Sequence, residues 1–284
     1  MNRPPTFEQV SIDQVGAYWD ARPCNLRHSP RPVGSADYFA EVEARKYRVE
    51  PHIPGFADFA RWRGKKVLEI GCGLGTDTMN FARAGAQVTA VDLSEASLAL
   101  ARRRAELAGL DITFYQGNAE ELISFVPLEA YDLVYSFGVI HHTPQPRRVI
   151  EELRRYMHRD SLLKIMVYHR HSWKVFWILL KYGRGAFWNL EEVVARYSEA
   201  QTGCPITYTY TRKSVRELLA GFEILSTSVD HIFPYNIEDY IRYRYSRVWY
   251  FRYLPARLFR WLERRWGWHL CVTAKLPKDN VVGL

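Results

Sequence analysis

Apolar and polar positions alternate along the chain in a repeating strand-then-helix rhythm. Short apolar runs at 66–70, 87–91, 112–116, 132–136 and 162–168 predict five strands. Between them, helical spacing predicts helices over 76–84, from Ser94 as N-cap to Gly109 as stop, and over 145–158. Strands alternating with helices imply a parallel sheet with right-handed crossovers. Runs at 222–229 and 269–276 read as two more strands. Upstream, 11–20 predicts a short helix with Ile12, Val15, Tyr18 and Trp19 on one side. A proline-broken segment follows from Arg22 to Gly34, then a helix, a break at 51–54 and a second helix over 38–62.

The stretch VLEIGCGLGTDT, residues 67–78, organises the rest. Val67, Leu68 and Ile70 are the apolar run of a strand covered on both faces. Gly71, Gly73 and Gly75 make a turn too tight for side chains, and Thr76 and Asp77 suit a helix N-terminus. Backbone N–H groups at the carboxyl end of a parallel strand are where open α/β sheets bind ligands. A dinucleotide fingerprint would place its third glycine at 76, where Thr76 stands, and the Gly-Lys-Ser/Thr of a phosphate loop is absent. Instead the spacing is G-x-G-x-G, with Glu69 just before it. Asp92 ends the second strand seventeen residues after Gly75, where a carboxylate accepts from a ribose diol.

Together, VLEIGCGLGTDT, VTAVDLS, YQGNAEEL and YDLVYSFGVIHHTP resemble the class I S-adenosylmethionine (SAM)-dependent methyltransferases over about residues 64–168. The resemblance implies an α/β fold: a Rossmann-like, seven-stranded, mostly parallel sheet with helices on both faces, its last strand antiparallel. It implies that Glu69, Gly71, Gly73 and Gly75 border the methionine part of SAM, and that Asp92 with Leu93 holds the ribose. Asn118 and Ala119 would meet the adenine, and Ser136 completes the expected cofactor set. The family usually has Asp at the adenine position; the amide oxygen of Asn118 still accepts from an exocyclic amine. The implied organisation is an N-terminal helical or lid segment (1–62), the SAM-binding core (63–168), a cap insertion (169–211), a core continuation (212–233), an Arg/aromatic insertion (234–267), and the last strand with a tail (268–284).

A chain of 284 residues, 48% of them apolar, can hold one large α/β domain, or one domain plus a cap, and is not disordered. The net charge is +8, and eight arginines against three acids fall between Glu238 and Trp268. Such concentration argues against a general nucleic-acid protein. Cys24, Cys72, Cys204 and Cys271 lack metal or disulfide spacing, and no radical-SAM cluster is present. Residues 1–13 are polar and carry prolines, so no signal peptide is expected there. A cytoplasmic setting, with or without peripheral membrane contact, is expected.

Methyl transfer needs a nucleophile held in line and, for a neutral one, a base. His142, after the fourth strand, is the first candidate for that base; the alternative is that His141 or His142 only packs there. Tyr168 at the tip of the fifth strand is the second catalytic candidate. His28, His169 and Tyr208 are substrate candidates, and no metal site is expected. The N-terminal segment reads either as a surface strap or as a lid bringing Asn25, Arg27 or His28 to the substrate. The insertions, with Trp173, Phe176, Trp177, Phe187, Trp188, Tyr208 and Tyr210 in the first, are expected to form the acceptor pocket. The Arg/aromatic segment reads as a solvated helical hairpin, a membrane-interface element, a nucleic-acid contact, or a grip on a substrate carboxylate or phosphate. The Asp/Asn-Pro-Pro-Tyr signature of amino-methylating enzymes is absent after the fourth strand, and no cysteine stands where RNA cytosine enzymes need one. The expectation is methyl transfer from SAM to a small, apolar, lipid- or quinone-like acceptor. Competing readings are a non-catalytic SAM-binding or membrane-docking protein, and an RNA methyltransferase with a continuous basic groove.

Overall fold

The computed structural model describes residues 7–183, 190–198 and 203–277. Its centre is a seven-stranded sheet of order β3-β2-β1-β4-β5-β7-β6. The strands are β1 (Lys66–Ile70), β2 (Gln87–Asp92), β3 (Thr113–Gln116), β4 (Tyr131–Phe137), β5 (Met157–Tyr168), β6 (Glu223–Asp230) and β7 (His269–Lys275). The first five pair in parallel, and β7 runs antiparallel to both β5 and β6. Strand order reverses between β2 and β4 on either side of β1, so a crevice opens at the carboxyl ends there.

The helix Glu95–Ala108 starts on the Ser94 side chain and ends on Gly109 in the left-handed region, as its sequence predicts. In one place the strand boundary moves. β5 begins at Met157, because Met157 pairs Tyr131 across a register shift before the regular ladder resumes at Leu162. The polar His158-Arg-Asp160 run hides this extension, and the Ser161 hydroxyl satisfies the His158 N–H at 2.8 Å.

Two N-terminal helices complete the crevice. The first, α1 (Ile12–Ala21), is held by a capping box between Ser11 and Gln14. The second, α2 (Ala36–Val49), is tied to the core by the buried Lys46–Asp77 pair at 2.8 Å. Tyr240 and Tyr243 stack on the α2 guanidinium of Arg45 at 3.9 and 4.5 Å, and Arg48 lies over Tyr245 at 4.0 Å. The second insertion therefore grips α2, while all eight of its own arginines are exposed. Phe187 and Trp188 lie outside the described residues.

Candidate active site

The glycines after β1 have three different jobs. All three adopt positive φ. A Cβ on Gly71 would stand 2.1 Å from the Val139 side chain, so this position needs close approach to the loop after β4. At Gly75 a Cβ would press on Ala101 and Met79 at 3.2 Å, so this glycine serves helix packing. Nothing lies within 4 Å of a Cβ built on Gly73, so its backbone faces open space. The Asp92 carboxylate crosses the crevice and accepts from the Gly73 N–H at 2.8 Å and the Ser94 N–H at 2.9 Å. Burial raises its pKa, partly offset by those hydrogen bonds.

One cavity of about 320 Å³ joins this turn to the far end of the sheet. On the turn side it is lined by Gly71, Gly73, Asp92, Leu93, Asn118 and Ala119. The Asn118 oxygen also accepts from the Glu120 N–H at 3.0 Å, which orients the amide. Further along it is lined by Phe137, His142, Met166, Tyr168, Lys174 and Trp268. Trp19 of α1 with Cys24 and Asn25 lines one side, so of Asn25, Arg27 and His28 only Asn25 reaches the cavity. This donor set fits SAM: an open backbone cradle at Gly73, a carboxylate at Asp92 and an amide edge at Asn118.

His142 Nδ1 donates to the Ile206 carbonyl at 2.8 Å. A carbonyl only accepts, so the proton sits on Nδ1 and the basic lone pair on Nε2. Its ring packs edge-on to Tyr168 at 5.5 Å and to Trp19 at 5.2 Å. Tyr168 is itself sandwiched, 4.0 Å from Trp268 and 3.8 Å from the buried His141. Burial drives the His141 pKa far below the usual histidine range. His141 is thus a packing residue, while His142 lines the cavity.

Several expected site residues stand elsewhere. Glu69 is buried behind the turn, accepting from the Thr78 hydroxyl at 2.6 Å, and Ser136 is buried in β4; neither lines the cavity. His28 points the other way and meets the Tyr240 hydroxyl at 3.2 Å. Burial, then Arg45 and Lys46, lower its pKa to about 3. His169 donates to the Gly267 carbonyl at 3.1 Å and belongs to a separate, outward-facing cleft. Tyr208 packs on Phe7 at 5.2 Å. The insertions do not build the pocket as expected: of the described residues lining the cavity, only Lys174 comes from the first insertion and none from 234–267. Their apolar side chains pack on one another and on the sheet edge instead.

Other lining residues escaped the sequence reading: Lys46 in the last turn of α2, Glu50 at its C-cap, His231 after β6 and His269 opening β7. Burial opposes the Lys46 ammonium, but Asp77 and Glu50 outweigh it and hold its pKa above the usual value. The available signal was strand direction. An antiparallel β7 starts at the carboxyl end of β5, so its first residue, His269, sits opposite Tyr168 and Asp230.

Comparison with known proteins defines the class. A family model described as a methyltransferase domain matches residues 67–160. That stretch is similar to the SAM-binding core of class I SAM-dependent methyltransferases. Among curated relatives, a ubiquinone biosynthesis O-methyltransferase of Cronobacter sakazakii is 39% identical over 152 residues, covering 52% of this chain and 57% of that protein. One from Glaesserella parasuis serovar 5 is 34% identical over 110 residues, 38% of this chain and 47% of that protein. The matches thus span about half the length of these relatives. Magnesium protoporphyrin IX methyltransferase from Synechocystis PCC 6803, solved with bound SAH, superposes with TM-score 0.59 at 17% identity, covering 94% of this chain and all of that one. The cyclase SpnF superposes with TM-score 0.55 at 18% identity, covering 93% of this chain and 95% of that one. Likeness at that identity establishes the fold; the reaction is argued from the site.

Proposed function

We propose that this protein transfers a methyl group from SAM to a hydroxyl oxygen of a small aromatic, quinone-like acceptor. The carrying observation is the single cavity that runs from Gly73 and Asp92 to His142, Tyr168 and Trp268. When bound, SAM supplies an electrophilic methyl carbon on a sulfonium. The chain's own part is positioning. The Gly73 backbone and Asp92 hold the adenosyl donor, the edge of the stacked Tyr168–Trp268 pair lines the acceptor end, and Nε2 of His142 takes the hydroxyl proton. The names of the curated relatives agree with an oxygen nucleophile and a quinone-type acceptor. Incubating the protein with methyl-labelled SAM and a panel of phenols and hydroxyquinones tests this reading. Label in an ether product supports it; SAM binding without transfer to any panel member favours the non-catalytic reading.

The reading includes a peripheral membrane contact, where an apolar acceptor is dissolved. Among the described residues no helix is long and apolar enough to cross a membrane. Support comes from exposed aromatics, Trp249 at 77% and Tyr253 at 81%, interleaved with exposed arginines on the second insertion. The cytoplasmic face is the matching location, since its anionic lipids attract such arginines.

A further inference from the structure

At the acceptor end of the cavity, Glu50, His231 and His269 present one ligand atom each, all within 4.8 Å of one another. All three line the cavity. They come from the end of α2, the exit of β6 and the start of β7, so the sheet topology brings them together. His269 Nε2 stands 3.5 Å from Glu50 Oε1. That is too long for a charge-assisted hydrogen bond, which closes to about 2.8 Å. It matches two ligands of one tetrahedral ion: bonds of about 2.1 Å leave their ends about 3.4 Å apart.

The supporting contacts have the same character. The other nitrogen of His269, Nδ1, meets His52 Nε2 at 3.0 Å. The His231 ring bonds to the Val49 backbone carbonyl. Metal-bound imidazoles are oriented by such partners on their second nitrogen. His231 also sits at φ +70°, in the left-handed region, which is costly for a residue other than glycine and gathers at functional sites. Its ring lies 4.6 Å from that of His269, the two planes 30° apart.

We propose that Glu50, His231 and His269 bind one divalent transition-metal ion, whose remaining positions face the cavity. Two imidazoles and one carboxylate are a borderline-soft donor set, suited to zinc, cobalt or iron. Lys46 and Lys174 line the same cavity and repel cations. Magnesium needs a mostly oxygen, octahedral set that two imidazoles and one carboxylate do not supply, so the nitrogen donors favour the transition metals over it. The open positions take an oxygen of the acceptor; that role, unlike metal binding itself, rests on the methyl-transfer reading.

The test uses full-length protein stripped with a chelator and desalted. Titration with Co²⁺ is followed by visible absorption, and with Zn²⁺ and Mg²⁺ by calorimetry. Expected are one equivalent of Co²⁺ with low-symmetry ligand-field bands, displacement by Zn²⁺, and no heat with Mg²⁺. Glu50→Gln and His231→Asn should each weaken Zn²⁺ binding by at least about tenfold. Absence of stoichiometric Co²⁺ binding in the wild-type protein overturns the proposal, as does binding that both variants leave unchanged. SAM is titrated into the same samples. SAM binding without metal binding sinks the metal site alone; metal binding without SAM binding sinks the methyl-transfer reading alone.

Discussion

The Nδ1–H of His142 is bonded to the carbonyl of Ile206, 2.8 Å away and 64 residues later in the chain. That bond fixes the tautomer of a ring lining the cavity, and the neighbouring Tyr208 N–H closes on the His141 carbonyl at 2.9 Å. The chain after β5 thus contributes to the site through its backbone, by orienting a histidine.

His142→Ala should therefore lower kcat by roughly 10² to 10⁴-fold, the range for a positioned base. SAM affinity should change by less than about twofold, since such a group acts on the acceptor's proton and not on the donor. Steady-state kinetics beside calorimetry reads both quantities. Equal losses in the two would mean that the ring only supports the cavity wall.

Asp92 supports a different step. Its oxygens already accept from Gly73 and Ser94, so the carboxylate is held across the crevice before any ligand arrives. Asp92→Ala removes a charged acceptor worth about 1.5–3 kcal/mol, so SAM affinity should fall by more than about tenfold. Asp92→Asn keeps one acceptor oxygen and should fall between the two. Unchanged affinity in the alanine variant contradicts the ribose assignment.

These two residues were legible in the sequence for a common reason. Asp92 ends β2 and His142 stands in the turn after β4, and the apolar runs of the two strands locate those ends. His28 was misread because spacing does not say which way a proline-broken segment turns; Tyr240, from the far end of the chain, takes its ring. Glu50, His231 and His269 were invisible for the opposite reason. None belongs to a local motif, and only the antiparallel pairing of β7 brings His269 beside Asp230. The insertions looked like a cap because they are aromatic, but their aromatic rings grip α2 and one another.

Glu69 gives a pH signature. Burial, with the Asp77 charge beside it, raises its pKa from 4.5 to about 8. The folded chain therefore holds this proton more tightly than the unfolded chain. Its contribution to stability is complete below about pH 4.5 and is lost as pH rises toward about 8. Glu69→Gln keeps the shape and removes the titration. Urea unfolding at about pH 5, 6.5 and 8 should show wild type losing ground to the variant as pH rises. A constant gap across that range would mean the carboxyl is ionised throughout.

The exposed face of the second insertion carries the proposed membrane contact. Trp249, Tyr253 and Trp261 are exposed, and they alternate with arginines that are all exposed. A solvated hairpin would bury its large rings and leave charges outward. Rings and arginines outward together match the interfacial zone of a bilayer, where the ring enters the headgroup region and the guanidinium meets lipid phosphate. Each arginine near an anionic surface contributes about 1 kcal/mol, so binding should be strong at low ionic strength and weaken as salt screens it. Co-sedimentation with phosphatidylglycerol-containing vesicles should pellet the wild type. Trp249→Ser with Tyr253→Ser should release it while leaving SAM binding intact. Binding that salt weakens but this pair of substitutions leaves untouched would assign the contact to charge alone. Failure to pellet at low salt removes the membrane from the account.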